Sequence, residues 1–273
     1  MKRILVTGGH SHVCRAVSET LVSCYSVLEV PSDSHALGAA SLDRIRQSEA
    51  DILVYAGGGA LSSWDLQVGR TTEKNSLVAL ADLADERQMR VIMISSDRVF
   101  GGPVLFHDDD SNCFATSPDS KRLLRHESLV QSLNDSLVVR TNIVDSGRAE
   151  DSFCNRIMSS LELEQQLAVD ASAFSTPISL DSFCRCLFKV IQNNVSGVVN
   201  IGGAERTTPF HFATQLARQA GFNPQLIEPA SSLLREQSLR CRKLREIGLA
   251  PPLLRETIEA INVGVDSVEL AAA

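Results

Sequence analysis

The chain has 273 residues, 44% hydrophobic and 22% charged, with a formal net charge of -7. These proportions describe an ordinary globular protein, large enough for one broad core or a main domain with a smaller lobe. The acidic balance argues against a nucleic-acid partner held through its phosphates. Seven scattered cysteines lack paired metal-ligand spacing, no apolar run reaches membrane-spanning length, and no signal-peptide core opens the chain. A cytoplasmic protein is expected, with reduced cysteines and neither a metal nor a membrane partner.

The opening residues read as a short buried strand, a tight turn at Gly8 and Gly9, and a helix on which Val13, Ala16, Val17 and Leu21 recur at helical spacing. This is the first unit of a dinucleotide-binding fold, in which a helix N-terminus meets a pyrophosphate. Ser11 and Cys14 stand where such loops carry their second and third glycines, so a plain strand–turn–helix without nucleotide is an equal reading. A second strand over 25–30 leads to Asp33, which competes with Glu29 as the acid that would meet an adenosine ribose; a solvated loop acid is the simpler reading of either. A short helix over 41–48 and a third strand over 52–55 follow, then the run Ala56-Gly57-Gly58-Gly59. Glycines past a parallel strand's carboxyl end suit a ligand or a flexible connection.

A helix over 75–86 and a strand over 91–94 lead to Ser95-Ser96-Asp97-Arg98. A solvated acidic loop through Asp108-Asp109-Asp110 is expected next, then a helix over 118–132, capped by Ser117 with Pro118 at its first position. After the strand over 137–139, the alternation predicts an α/β fold: a doubly wound, Rossmann-like parallel sheet over 1–150. Residues 151–262 read as a smaller substrate-binding lobe with interleaved elements. Within it, helices are expected over 153–161, 180–191, 208–220 and 239–247, strands over 167–169 and 198–201, and a turn over 174–177. Residues 263–273 carry no pattern and read as a flexible tail.

Several of these stretches together resemble the extended short-chain dehydrogenase/reductases, specifically the dTDP-4-dehydrorhamnose reductase family. Ile94-Ser95-Ser96-Asp97-Arg98-Val99-Phe100-Gly101-Gly102 is similar to that family's strand followed by Ser-Thr-Asp-Tyr-Val-Phe-x-Gly, and Val139-Arg140-Thr141 to its later strand and Arg-Thr. Leu167-Ala168-Val169-Asp170 with Phe174-Ser175-Thr176-Pro177 resembles its segment ending in Phe-Gly-x-Pro-Thr. Gly197 to Gly203 and Leu244 to Thr257 resemble its last strand, glycine turn and closing segment. The likeness covers residues 1 to about 262. It implies hydride transfer from NAD(P)H to the 4-keto group of a nucleotide-linked sugar, in a cleft after Val6, Tyr55 and Ile94. It also implies a cofactor cradle of Thr7, Gly8, Gly9, Ser11, His12, Val13, Arg15, Ala56, Gly57, Gly58 and Lys121. Arg15 is the best single phosphate candidate.

The family's acid is a tyrosine, one helical turn before a lysine that lowers its pKa, with a serine or threonine orienting the carbonyl. Ser96 and Lys121 match two of the three. Ser117 holds the tyrosine position, and its hydroxyl is too weak an acid and too short to replace a phenol. Arg98 replaces the aromatic after the family's Asp, and Asn142 replaces a tryptophan of its sugar site. Standard reduction is therefore not expected. The first reading is non-redox catalysis on a small carbonyl or sugar-like substrate, with Ser96, Lys121, Arg98 and Ser117 as the catalytic candidates. Arg98 would hold an anionic substrate, and His107, Asp108 and His126 would flank the mouth. The alternatives are an NAD(P)H-dependent reductase with a substitute donor, or a non-catalytic nucleotide-binding or regulatory protein. A homodimer or a partner enzyme suits any of the three.

Overall fold

The computed structural model describes residues 1–9, 11–31, 39–65, 76–114, 116–145 and 152–261. Strand and helix alternate at first: β1 (Arg3–Gly8), α1 (Ser11–Leu21), β2 (Ser26–Pro31), α2 (Ala39–Gln47), β3 (Ile52–Tyr55), α3 (Ser76–Glu86), β4 (Arg90–Ser96), α4 (Pro118–Gln131) and β5 (Leu137–Thr141). Shorter pieces follow: β6 (Ile143–Val144), α5 (Phe153–Glu162), β7 (Leu167–Asp170), β8 (Ala173–Phe174) and β9 (Ile178–Ser179). The chain continues through α6 (Leu180–Gln192), β10 (Gly197–Asn200), α7 (Pro209–Gln219), β11 (Ile227–Ala230), β12 (Arg235–Glu236) and α8 (Arg242–Glu246). A further helix covers 254–261.

Six strands form one parallel sheet in the order β10-β5-β4-β3-β1-β2. A parallel sheet covered on both faces needs apolar side chains on each. In β1, Ile4 and Val6 enter the core shared with α1 and α6, while Leu5 enters the one shared with α3 and α4. β4 repeats the division, with Ile92 and Ile94 on one face and Val91 and Met93 on the other. A third core joins Trp64, Phe153, Ile157, Phe212, Leu216 and Ile258 beneath α5, α7 and the helix over 254–261. Residues after 151 serve both layers, because α6 and β10 return to the main sheet while β7 pairs with β11 beside it.

The doubly wound α/β fold expected from the alternation is the fold observed. Three local expectations are corrected. Residues 174–177 are extended rather than a turn: β8 pairs with β12, Ser175 bridges Thr207, and β9 pairs with β6. The helix expected over 239–247 shrinks to Arg242–Glu246, because the amides of Leu239 and Arg240 donate to Thr176 Oγ1 and the His107 carbonyl instead. Asp109 is not a solvated loop acid; it is buried and accepts the backbone N–H groups of Asn200 (2.6 Å) and Lys243 (3.1 Å). The tail over 263–273 lies outside the described residues. Among the described residues, no helix is long and apolar enough to cross a membrane, and no three His, Cys, Asp or Glu side chains cluster as a metal site.

One buried ion pair ties α4 to the sheet. Glu127 accepts from Arg140 Nη2 at 2.8 Å and from Ser95 Oγ at 2.6 Å. Both charged side chains are almost fully buried, so removing one partner leaves the other uncompensated. Glu127→Ala should therefore lower stability by roughly 3–5 kcal/mol in denaturant unfolding. A loss smaller than about 1 kcal/mol, the size of an exposed pair, would show that the interior tolerates a lone Arg140.

Candidate functional site

The glycine turn sits where β1 meets β3. A Cβ on Gly8 would lie 2.0 Å from the Ala56 carbonyl oxygen, so only glycine permits this approach. A Cβ on Gly9 would meet open space. At the third glycine position Cys14 is buried between α1 and the sheet, its Sγ 4.0 Å from the Gly8 carbonyl. Burial and, secondarily, the Glu29 carboxylate push its thiol up to about 12, so it behaves as a small apolar residue. Val13 is also in the core, the Thr7 hydroxyl donates to the Val30 carbonyl at 2.7 Å, and His12 is half-buried. Arg15 is exposed, and α1 has no acidic residue in its first turn. His10, Asp33 and the Ser11 side chain lie outside what is described.

The second glycine run is packed rather than flexible. Ala56, Gly57 and Gly58 are buried, and residues 58–60 form a 3₁₀ turn. A Cβ on Gly59 would stand 2.5 Å from the Ile94 carbonyl oxygen, so the turn fits against β4 only as glycine.

At the end of β4, Arg98 folds back into the protein. Its Nε donates to Ser96 Oγ at 3.0 Å, its Nη2 to the Gly58 carbonyl at 2.5 Å, and its Nη1 to Asp119 at 2.6 Å. Only 6% of Arg98 is exposed and its guanidinium is held inside by Ser96, Gly58 and Asp119, the last shared with Arg122, so the expectation that it holds an anionic substrate is corrected. Ser96 Oγ further accepts the Arg98 N–H and donates to Asp97. Ser117 is the N-cap of α4, accepting the Ser120 N–H at 3.0 Å. Lys121 is exposed, and its ammonium meets no carboxylate among the described residues. The structure thus joins Ser96 to Arg98, while Ser117 caps α4 and Lys121 lies exposed on its first turn.

The residues expected around the mouth are elsewhere occupied. His107 is buried and stacked on Phe100 at 4.1 Å, with Nε2 beside the Glu236 carbonyl. Asp108 faces Arg240, and His126 is half-buried on α4, where burial and then Arg122 and Arg125 lower its pKa.

A buried polar network that the sequence does not announce surrounds Asp97. This carboxylate is fully buried and accepts the hydroxyls of Ser175 (2.5 Å), Ser96 (3.2 Å) and Ser63 (3.3 Å). Asn142 accepts from Ser62 Oγ and the Ser63 N–H and donates to Ser175. Asp65 accepts the N–H groups of Ser62 and Phe153, the latter opening α5. Burial pushes both Asp65 and Asp97 up to about 6, against the pull of these donors. Beside the network lies a groove of about 590 Å³, walled by Trp64, Phe153, Arg156, Leu167, Asp170 and Arg235. On its wall, Arg235 pairs with Asp170 at 2.7 Å. The sequence gives no local signal for this groove, because its walls come from the loop after β3, α5, β7 and β12.

The profile of the family described as RmlD substrate binding domain matches residues 1–242. None of the curated proteins matches the chain. Among solved structures, the dTDP-4-dehydrorhamnose reductase of Bacillus anthracis in complex with NADP superposes with a TM-score of 0.82 at 17% identity, over 96% of this chain and 99% of that one. A reductase ortholog from Clostridium acetobutylicum gives 0.78 at 19% identity, over 98% and 99%. The UDP-glucuronic acid 4-epimerase of Bacillus cereus in complex with NAD gives 0.75 at 17%, over 96% of each chain.

Asp97 makes stability depend on pH. Unfolded, the group loses its proton near 3.8; folded, it keeps it to about 6. Between those values the folded state binds more protons, so stability falls as pH rises through the window, by up to about 3 kcal/mol from this group. Asp97→Asn should remove that component while keeping an acceptor for the hydroxyls. Denaturant midpoints of both proteins from pH 4 to 7 should therefore converge or cross as pH rises; parallel curves would mean that Asp97 titrates normally.

Proposed function

This chain belongs to the RmlD substrate binding domain family, within the extended short-chain dehydrogenase/reductases, and on that premise we propose that it binds nucleotides without carrying out tyrosine-dependent reduction. The observation that carries this reading is Arg98. Its guanidinium ties Ser96 Oγ, the Gly58 carbonyl and Asp119 together, across the place where the family's carbonyl would meet its serine or threonine. Ser96 Oγ already accepts from Arg98 and donates to Asp97, so no free edge remains to orient a substrate carbonyl. Ser117 faces backbone amides as a cap.

Retained binding is supported by the cradle and the groove. The open space at Gly9, the acid-free first turn of α1 and exposed Arg15 suit a dinucleotide pyrophosphate. NAD(P), when bound, supplies hydride chemistry; the side chains of this chain would hold its phosphates. The groove offers aromatic walls and two guanidinium groups, which suit a nucleoside diphosphate. The names of the superposed proteins, which act on dTDP- and UDP-linked sugars, point to the same ligand class. Rebuilt non-redox catalysis on Ser96, Arg98 and Lys121 is less well supported, because two of those three side chains have their hydrogen-bonding groups engaged.

Calorimetric titration with NADPH and NADH, run beside an absorbance assay for NADPH oxidation with a dTDP-4-keto sugar, tests the reading. Saturable cofactor binding is expected, weakened about tenfold by Arg15→Glu, with no oxidation above the uncatalysed rate. Cofactor oxidation that disappears in Ser96→Ala or Lys121→Ala would restore the reductase interpretation. Absence of any cofactor binding would leave the groove alone as the nucleotide site and refute the dinucleotide half of the proposal.

A further inference from the structure

A second cavity, of about 620 Å³, lies between the loop around residue 106, the turn after β10 and the segment entering α8. It shares no lining residue with the groove beside α5. Phe106, Leu239 and Pro251 give it apolar walls, and Arg240, Arg242 and Arg245 stand at its rim. In a chain of net charge -7, residues 240–245 hold Arg240, Arg242, Lys243 and Arg245, a local concentration of cations.

Four acids face this rim, one of them, Glu246, in the cavity lining itself. Asp108 is 3.5 Å from Arg240, Asp110 is 3.1 Å from Arg242, and Asp109 and Glu246 are each 4.0 Å from Arg242. Arg245 meets no carboxylate among the described residues. Arg240 and Arg242 are about half exposed, at 58% and 48%, so their ion pairs are solvent-screened and exchangeable for a ligand's anionic group. Lys243 points inward, to the Val198 carbonyl.

The aromatic wall is held under strain. Phe106 has φ 55°, a left-handed conformation that bulky side chains avoid. The other non-glycine residues in that region, Glu49, Gln88, Asp135, Glu164 and Asn194, are polar and follow helices α2 to α6, where a left-handed residue commonly ends the helix. Phe106 follows no helix. Its N–H donates to Ser238 Oγ at 3.0 Å, the next N–H donates to the Ser238 carbonyl at 2.8 Å, and His107 is clamped on Phe100. A neighbourhood that enforces an unfavourable backbone in order to present an aromatic ring to a cavity is the pattern of a built site.

We propose that this cavity is a second ligand site, for a planar aromatic anion of the nucleoside monophosphate type. The base lies against Phe106 and the phosphate among Arg240, Arg242 and Arg245. The site is independent of the dinucleotide cradle and of the groove beside α5.

The test is calorimetric titration of the full chain with AMP, with adenosine and inorganic phosphate as separate probes. AMP should bind saturably, and each half alone about tenfold more weakly or worse. Arg242→Ala/Arg245→Ala and Phe106→Gly should each weaken AMP at least about tenfold. Glycine accepts the left-handed backbone, so Phe106→Gly should keep its thermal midpoint within about 2 °C, which separates loss of the ring from loss of the fold. Absence of AMP binding overturns the site. So does AMP binding that Arg15→Glu or Arg156→Ala removes but the arginine double variant does not, which would place the nucleotide in the cradle or the other groove. Binding of polyglutamate without response to AMP would make the rim a protein-docking face, and would also overturn it.

Discussion

A guanidinium taken out of water has to be met by compensating charge and acceptors on nearly every side, and Arg98 imposes that condition on the centre of this protein. Its three bonded partners belong to three different walls: the end of β4, the glycine turn after β3 and the first turn of α4. Fixing one side chain therefore fixes the mutual placement of those walls. Asp119 becomes structural, Ser96 becomes an internal link, and the Gly58 carbonyl loses the freedom to face a ligand. Strand end, glycine turn and helix are thereby locked into one solid joint.

The polar network next to this joint plays a complementary part. Asp97, Asn142, Ser175 and the turn over 62–65 bring together the ends of β4 and β5, the loop after β3 and the segment leading to β9. Apart from the local bonds of Ser96 and those within the 62–65 turn, the hydrogen bonds of the set span residues far apart in the chain. Satisfied buried networks of this kind specify one arrangement in preference to many apolar ones of similar energy. The main sheet and the layer beneath α5 and α7 are thus joined by directional contacts as well as by apolar packing.

The frame was legible because its signals are local. Apolar runs gave β1, β3, β4 and β5, Ser117-Pro118 gave the start of α4, and Gly248, with φ 79°, follows the end of α8 as its stop. The site was legible only in its residue types. Arg98 stood out as a replacement, but sequence does not say where a long side chain turns, and it turned inward to Asp119. Asp109 looked like one acid among three, yet it alone is held by two backbone amides. The groove and the Asp97 network were not legible at all, because each is assembled from pairs such as Ser62 with Asn142 and Phe153 with Asp65, which nothing in a linear pattern connects.

The sixth strand of the main sheet arrives late. β10 pairs with β5 only after α5, β7, β8, β9 and α6 have been made, and α6 supplies Phe183, Leu187 and Val190 to the core beside α1. During synthesis the outer edge of β5, with Leu137, Val138 and Val139, stands without a neighbour until residues 197–200 emerge. Pairing of such sequence separation is slow, and an unpaired apolar edge invites pairing with other chains. The interval between the fifth and sixth strands is accordingly when the nascent protein is most exposed to aggregation, and when a chaperone has most to protect.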